Sequence, residues 1–159
     1  MRRGGWRQAA LTPGDLFALE VVLVVSATVR AFDYFTGVDR ETRSAVVAEV
    51  VMPLWGWGAL IAAGAVILAD GLAQRRHMLV FVGHLWLAVA YWSLTLGLAG
   101  SYVGDVFERG VMPGSTDGMR GVAPLAVIAL LHLLYAARTG THPLPQDAGV
   151  TDAAIVKEA

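Results

Sequence analysis

The nineteen residues from Leu54 to Leu72 hold a single ionisable side chain, Asp70. As a helix that run is about 28 Å long, close to the thickness of bilayer hydrocarbon. A helix apolar on all sides has to be enclosed by protein or by lipid. Three further stretches of similar character follow from the sequence, so the expected spans are about 15–34, 54–72, 78–99 and 120–137. The last is the shortest, with its apolar part running from Val122 to Ala137, and it is expected to extend back through Met119–Gly121. Composition agrees: 56% of the residues are hydrophobic and the mean hydropathy is +0.58, against about 45–50% apolar residues in soluble domains.

These spacings predict an all-α integral membrane protein, a four-helix bundle with a short amphipathic helix between helices 1 and 2. Residues 1–12 form a basic N-terminus, 13–138 the transmembrane domain, and 139–159 a tail expected to be disordered, with two prolines and little apolar content. The opening "MRRGGWRQAALTPGDLFALEVVLVV" has the outline of a signal peptide. Its apolar run continues into charged "RAFDYF" with no small-residue cleavage site, so it reads as an uncleaved first span. Pro13 suits a first helical turn and Asp15 can cap free amides. In "TGVDRETRSAVVAEVVMP" the valines 46, 47, 50 and 51 recur at helical spacing, which gives the amphipathic element. "AQRRH" is short enough to force an antiparallel hairpin, and "SYVGDVFERGVMPGSTDG" reads as a solvated loop.

Charge sets the orientation. With four spans both termini share a side, and placing them in the cytoplasm puts seven of the twelve Lys and Arg residues inside, including Arg2, Arg3, Arg75 and Arg76. The expected location is therefore the inner membrane with both ends cytoplasmic. Trp55, Trp57, Trp92, Tyr34 and Tyr102 then form an aromatic belt at the outer interface. The net charge of −1 and the lack of a basic tract exclude nucleic acid as a partner, and the absence of cysteine excludes thiolate chemistry and disulfides.

The first span carries more charge than hydrocarbon favours. Arg30 and Asp33, three residues apart near its outer end, can pair on one helical face while the arginine stem reaches the interface. Glu20 lies about 8 Å in from the opposite side, His84 about 10 Å and His132 about 9 Å, with Asp70 near the inner end of helix 2. Glu20, Asp70, His84 and His132 thus form a candidate intramembrane polar layer, and such groups usually face the protein interior and mark function. Three readings compete. The histidines are neutral core residues bonded to Tyr91, Tyr135 or Glu20; or they belong to a proton or ion relay or a polar pore lining; or they bind haem or metal. Zinc wants a third and fourth ligand, which only convergence of all four side chains would supply. No metal, cofactor or small-molecule substrate is assigned.

Gly56, Gly58, Ala62 and Gly64 let helix 2 approach a neighbour closely, either inside the bundle or in another copy. Tyr91, Trp92, Ser93 and Thr95 read as belt residues and interhelical hydrogen-bond partners. No catalytic triad, phosphate loop or metalloprotease motif is present, and nothing argues for an enzyme.

The order "MPLWGWGALIAAGAVILADGLAQRRHMLVFVGHLWLAVAYWSL", then "DGMRGVAPLAVIALLHLLYAARTG", resembles the small multi-span membrane proteins of actinobacterial tailed phages, some of them holins or holin-like proteins of the lysis module. The likeness covers roughly residues 52 to 140 and rests on segment lengths and texture. It implies a protein that accumulates in the host inner membrane and assembles with copies of itself into lesions. The tail departs from the pattern: many holins end in a strongly basic segment, whereas here Lys157 stands among Asp147, Asp152 and Glu158. The leading expectation is a holin-like, self-associating, membrane-permeabilising protein with lipid as its surroundings. The alternatives are a non-lytic interaction protein (a phage exclusion factor or accessory subunit) and a small proton-conducting, ion-conducting or haem-binding protein using Glu20, His84 and His132.

Overall fold

The computed structural model describes residues 13–37, 48–109 and 117–141, and among them there is helix and no strand. The basic N-terminus, most of the valine-rich segment, residues 110–116 and the tail beyond Thr141 lie outside the described residues. Four long helices run in order: α1 Pro13–Thr36, α2 Leu54–Ala73, α3 His77–Arg109 and α4 Asp117–Thr141. Neighbours in sequence are neighbours in space, with α1 on α2, α2 on α3 and α3 on α4.

Local sequence explains where the helices begin and end. Pro13 opens α1, where its missing N–H is no loss. Gly37 closes α1 at φ 62, its amide donating to the Asp33 carbonyl at 2.9 Å, a left-handed cap that glycine adopts without strain. Pro53 precedes α2 in extended backbone. Residues 48–51, the last turn of the valine-rich element, are helical, with Val50 and Val51 exposed. The hairpin between α2 and α3 turns through Arg75 at φ 55, and the Gln74 and Arg76 amides donate to the Asp70 and Gly71 carbonyls.

Two boundaries differ from expectation. The segment beginning at Ser101 does not leave the helix: α3 continues to Arg109 and is 33 residues long, about 50 Å. It holds no proline to stop it. α4 is also longer than its apolar core, running through Pro124 in its interior and on to Thr141.

Three helices are long and apolar enough to cross a membrane, over Leu54–Ala73, His77–Glu108 and Gly121–Gly140. The remaining expected span, α1, has the length, at 24 residues, but charge sets it apart. Every 18-residue window in α1 contains three of Asp15, Glu20, Arg30 and Asp33. Even so, α1 turns bulky apolar side chains outward, with Phe17, Val22, Val25 and Phe32 each more than half exposed.

The buried positions follow a seven-residue rhythm. On α2 it runs through Leu54, Trp57, Ile61, Gly64, Leu68 and Gly71, with Gly56, Gly58 and Ala65 buried beside it; on α3 through Val80, His84, Leu87, Tyr91, Leu94 and Leu98, with Gly83, Ala88, Ala90 and Thr95 beside it; on α4 through Leu125, Ala129, His132 and Ala136. Alternating steps of three and four are the signature of helices meeting along a narrow seam. The α2–α3 hairpin is antiparallel and very close. A Cβ built on Gly64 would lie 2.8 Å from Leu87, one on Gly83 2.8 Å from the Leu68 backbone, and one on Gly71 2.6 Å from the Val80 amide. Gly58 does the same for α1, 3.1 Å from the Ala31 carbonyl. Gly56 lies against Met52, and Ala62 packs on the core. Among the two uses foreseen for this small-residue stripe, the space beside these glycines is taken by the chain's own helices.

The aromatic belt loses Trp57. Trp57 is buried, its indole N–H donating to the Ala48 carbonyl at 3.0 Å, because position 57 lies on the seam stripe of α2. Trp55, two residues earlier on the opposite face, is exposed.

Candidate functional site

The α3–α4 seam is where the polar side chains meet. His84 on α3 and His132 on α4 are both fully buried, and their Nδ1 atoms lie 2.9 Å apart in a direct hydrogen bond. The Tyr135 ring stacks on His84 with centroids 5.2 Å apart and planes at 22°. The Tyr91 ring lies parallel to His132, 5.8 Å away at 8°. The result is a file of four rings along the seam: Tyr135, His84, His132, Tyr91. Position produces it, since His84 and Tyr91 are seven residues apart on one stripe and His132 and Tyr135 three apart on the facing helix.

Hydrogen-bond chemistry constrains this pair. A neutral imidazole has one N–H and one bare nitrogen. An Nδ1-to-Nδ1 bond between neutral rings needs a donor on one side and a bare acceptor on the other. One ring therefore presents a bare Nε2 and its partner an Nε2–H. Both Nε2 atoms are buried with no hydrogen-bond partner among the described residues, and so is the Tyr91 hydroxyl. An unpartnered buried polar atom costs about 1–3 kcal/mol, so three on one seam is an expensive arrangement for packing alone.

Other charges stand at the two ends of the file. Glu20 lies half-buried on the inward stripe of α1 that continues through Leu23, Ala27 and Ala31. Its carboxylate feels the Arg138 guanidinium of α4, and both act on the Tyr135 phenol. At the other end Arg30 and Tyr34 of α1 act on Tyr91. The Arg30 guanidinium lies over the Tyr34 ring, 6.0 Å from its centroid, and Asp33 acts on the same phenol.

Of the four residues expected in one polar layer, the structure joins His84 directly to His132 and sets Glu20 at the Tyr135 end. Asp70 does not belong to it. That side chain is exposed and bonds the Gln74 amide one turn further on, because position 70 falls off the 54–57–61–64–68–71 stripe. The histidines bond to each other, and the tyrosines flank them as stacked rings. Tyr91, read both as a belt residue and as a possible bonding partner of the histidines, stacks on His132 without a hydrogen bond to it. It is 1% exposed, no belt residue, and its place one heptad after His84 was the available signal. Ser93 and Thr95 bond the carbonyls of Val89 and Tyr91 in their own helix, so they do not bridge helices.

Among the described residues no group of three or more His, Asp or Glu converges to hold a metal ion. A haem between His84 and His132 would need the rings on opposite faces of a macrocycle, and a direct 2.9 Å contact is not that arrangement. Compared with family models, with curated proteins and with solved structures, the chain matches none.

Proposed function

We propose that this chain is an integral membrane four-helix bundle that moves protons through the His84–His132 pair. The observation that carries the reading is the 2.9 Å Nδ1-to-Nδ1 bond between two fully buried imidazoles, each with an unpartnered Nε2. A proton arriving at the bare Nε2 makes that ring an imidazolium. Its Nδ1 proton crosses to the partner's Nδ1, and the partner releases the proton on its own Nε2. One proton enters and one leaves, both rings end neutral, and the hydrogen bond has reversed its direction. Passing a second proton the same way requires both rings to regain their first tautomer. The pair is a one-proton shuttle, slower than an open pore and closed to other ions. Buried ionisable groups in membrane helices are commonly used this way. Glu20, with Arg138 beside it, is the group that loads the Tyr135 end. The cations Arg75, Arg76 and Arg138 favour the cytoplasmic side for that end and for both termini.

A second reading, holin-like self-association into lesions, is favoured by the apolar faces that α1 and α4 turn outward, among them Phe17, Val22, Leu130 and Leu134. Proteoliposomes holding a trapped pH dye and a trapped fluorescent solute distinguish the two. Under an imposed potential the relay predicts a pH change with the solute retained. His84→Asn keeps a hydrogen-bonding atom near the Nδ1 position but has no Nε2, and is expected to slow proton entry about a hundredfold. Wild-type rates in His84→Asn would refute the relay, and escape of the solute would favour lesions.

A further inference from the structure

Resting on the relay reading, we propose that the Tyr91 hydroxyl is the proton carrier at the far end, exchanging a proton with Nε2 of His132. Tyr91 sits at a seam position where phenylalanine would pack equally well, and its hydroxyl is buried without a partner among the described residues. In a structure selected for packing alone, that oxygen is a liability of about 1–3 kcal/mol. Its ring lies parallel to His132 at 5.8 Å. Thr95, one turn on along the same helix, already donates its hydroxyl to the Tyr91 carbonyl at 2.7 Å. The phenol and the His132 Nε2 are therefore the two groups at this end of the file that still need a partner among the described residues, and since they do not bond each other directly, one bridging water satisfies both.

Arg30 and Tyr34 of α1 lie within electrostatic range of the same phenol, on the side away from Glu20. The step balances. The Nε2 proton of His132 passes to the phenol oxygen as the phenolic proton departs to water at the Arg30–Tyr34 end. Tyr91 is neutral before and after, and no oxidant or further reactant is involved. The file then reads, from end to end, Glu20, His84, His132, Tyr91.

The test is Tyr91→Phe in the full-length protein, run beside His84→Asn, with three readouts: proton entry into proteoliposomes, thermal unfolding in detergent, and the ¹⁵N resonance of His132 Nε2. The expected result is a fall in proton entry of about tenfold or more, unchanged or higher stability, and a shifted Nε2 resonance because its partner is gone. Those responses run in opposite directions, which a packing role does not produce. Wild-type entry and an unmoved Nε2 resonance in Tyr91→Phe, with His84→Asn inactive, would overturn the assignment of Tyr91 and leave the relay standing. Full activity in both variants, or no proton entry in the wild type, would overturn the relay and this inference with it.

Discussion

Replacing His84 by leucine removes one half of a buried hydrogen bond and leaves the other half stranded. The His132 Nδ1, now 2.9 Å from nothing polar, joins an Nε2 that already has no partner. Interhelical hydrogen bonds in membranes contribute about 0.6 kcal/mol on average, and an orphaned buried polar atom costs about 1–3 kcal/mol. Each single replacement, His84→Leu or His132→Leu, is therefore expected to destabilise by about 2 kcal/mol. The double replacement removes both Nδ1 atoms and both orphaned Nε2 atoms, and places leucines of similar bulk at seam positions that already suit them. It should come within about 1 kcal/mol of wild type, or exceed it, a coupling of about 3 kcal/mol against the sum of the singles. The assay is equilibrium unfolding of the detergent-solubilised protein for the wild type, both singles and the double, with proton entry measured on each. A pair retained for function predicts a double variant that is stable and inactive. Additive losses in the double would show that the imidazoles act independently, and would refute the shared-proton geometry on which the relay depends.

Two further predictions test the frame that holds the pair. Gly83→Ala places a methyl 2.8 Å from the Leu68 backbone and should cost about 1–3 kcal/mol by prising α2 from α3, whereas Gly97→Ala, with nothing within 4 Å, should stabilise by about 0.5–1 kcal/mol through helix propensity. Unfolding midpoints of the two variants in one detergent check both signs. Trp57→Phe removes the indole donor to the Ala48 carbonyl and should cost about 1 kcal/mol while raising hydrogen exchange at Met52, whose amide donates to the same carbonyl.

The sequence carried the helices well because length and hydropathy are local properties. The run from Leu54 to Leu72 begins and ends within a residue of α2. The end of α3 was less legible: Gly104 and the residues from Ser101 on read as a loop, yet they continue the helix, with open space beside Gly104. Depth counting placed His84 and His132 at nearly equal levels, and they do meet. The same count admitted Asp70, because depth says nothing about azimuth. Only the three–four rhythm of the buried stripe separates His84, which lies on it, from Asp70, which does not. Tyr91 was misplaced for the complementary reason. Its neighbours Trp92, Ser93 and Thr95 suggested an interface, whereas its spacing from His84 put it in the core.

That rhythm also accounts for the charges in α1. Glu20, Leu23, Ala27, Ala31 and Tyr34 follow steps of three and four, and Arg30 flanks the same stripe. An apolar helix tolerates ionisable residues at its ends when they can reach water, but one on the protein-facing stripe and one flanking it, ten residues apart, call for partners there. Arg138 and Tyr135 lie within electrostatic range of Glu20 at one level, and Tyr34 and Tyr91 within that of Arg30 at the other. Ten residues of α1 rise about 15 Å, the same rise that separates Phe81, packed beside Gly140 near Arg138, from Tyr91 on α3. α1 and the α3–α4 seam thus carry polar groups in matching register. A helix that merely anchored the chain would have no need of that match, since leucine or valine on the same stripe would pack against Gly58 and its neighbours without any charge to neutralise.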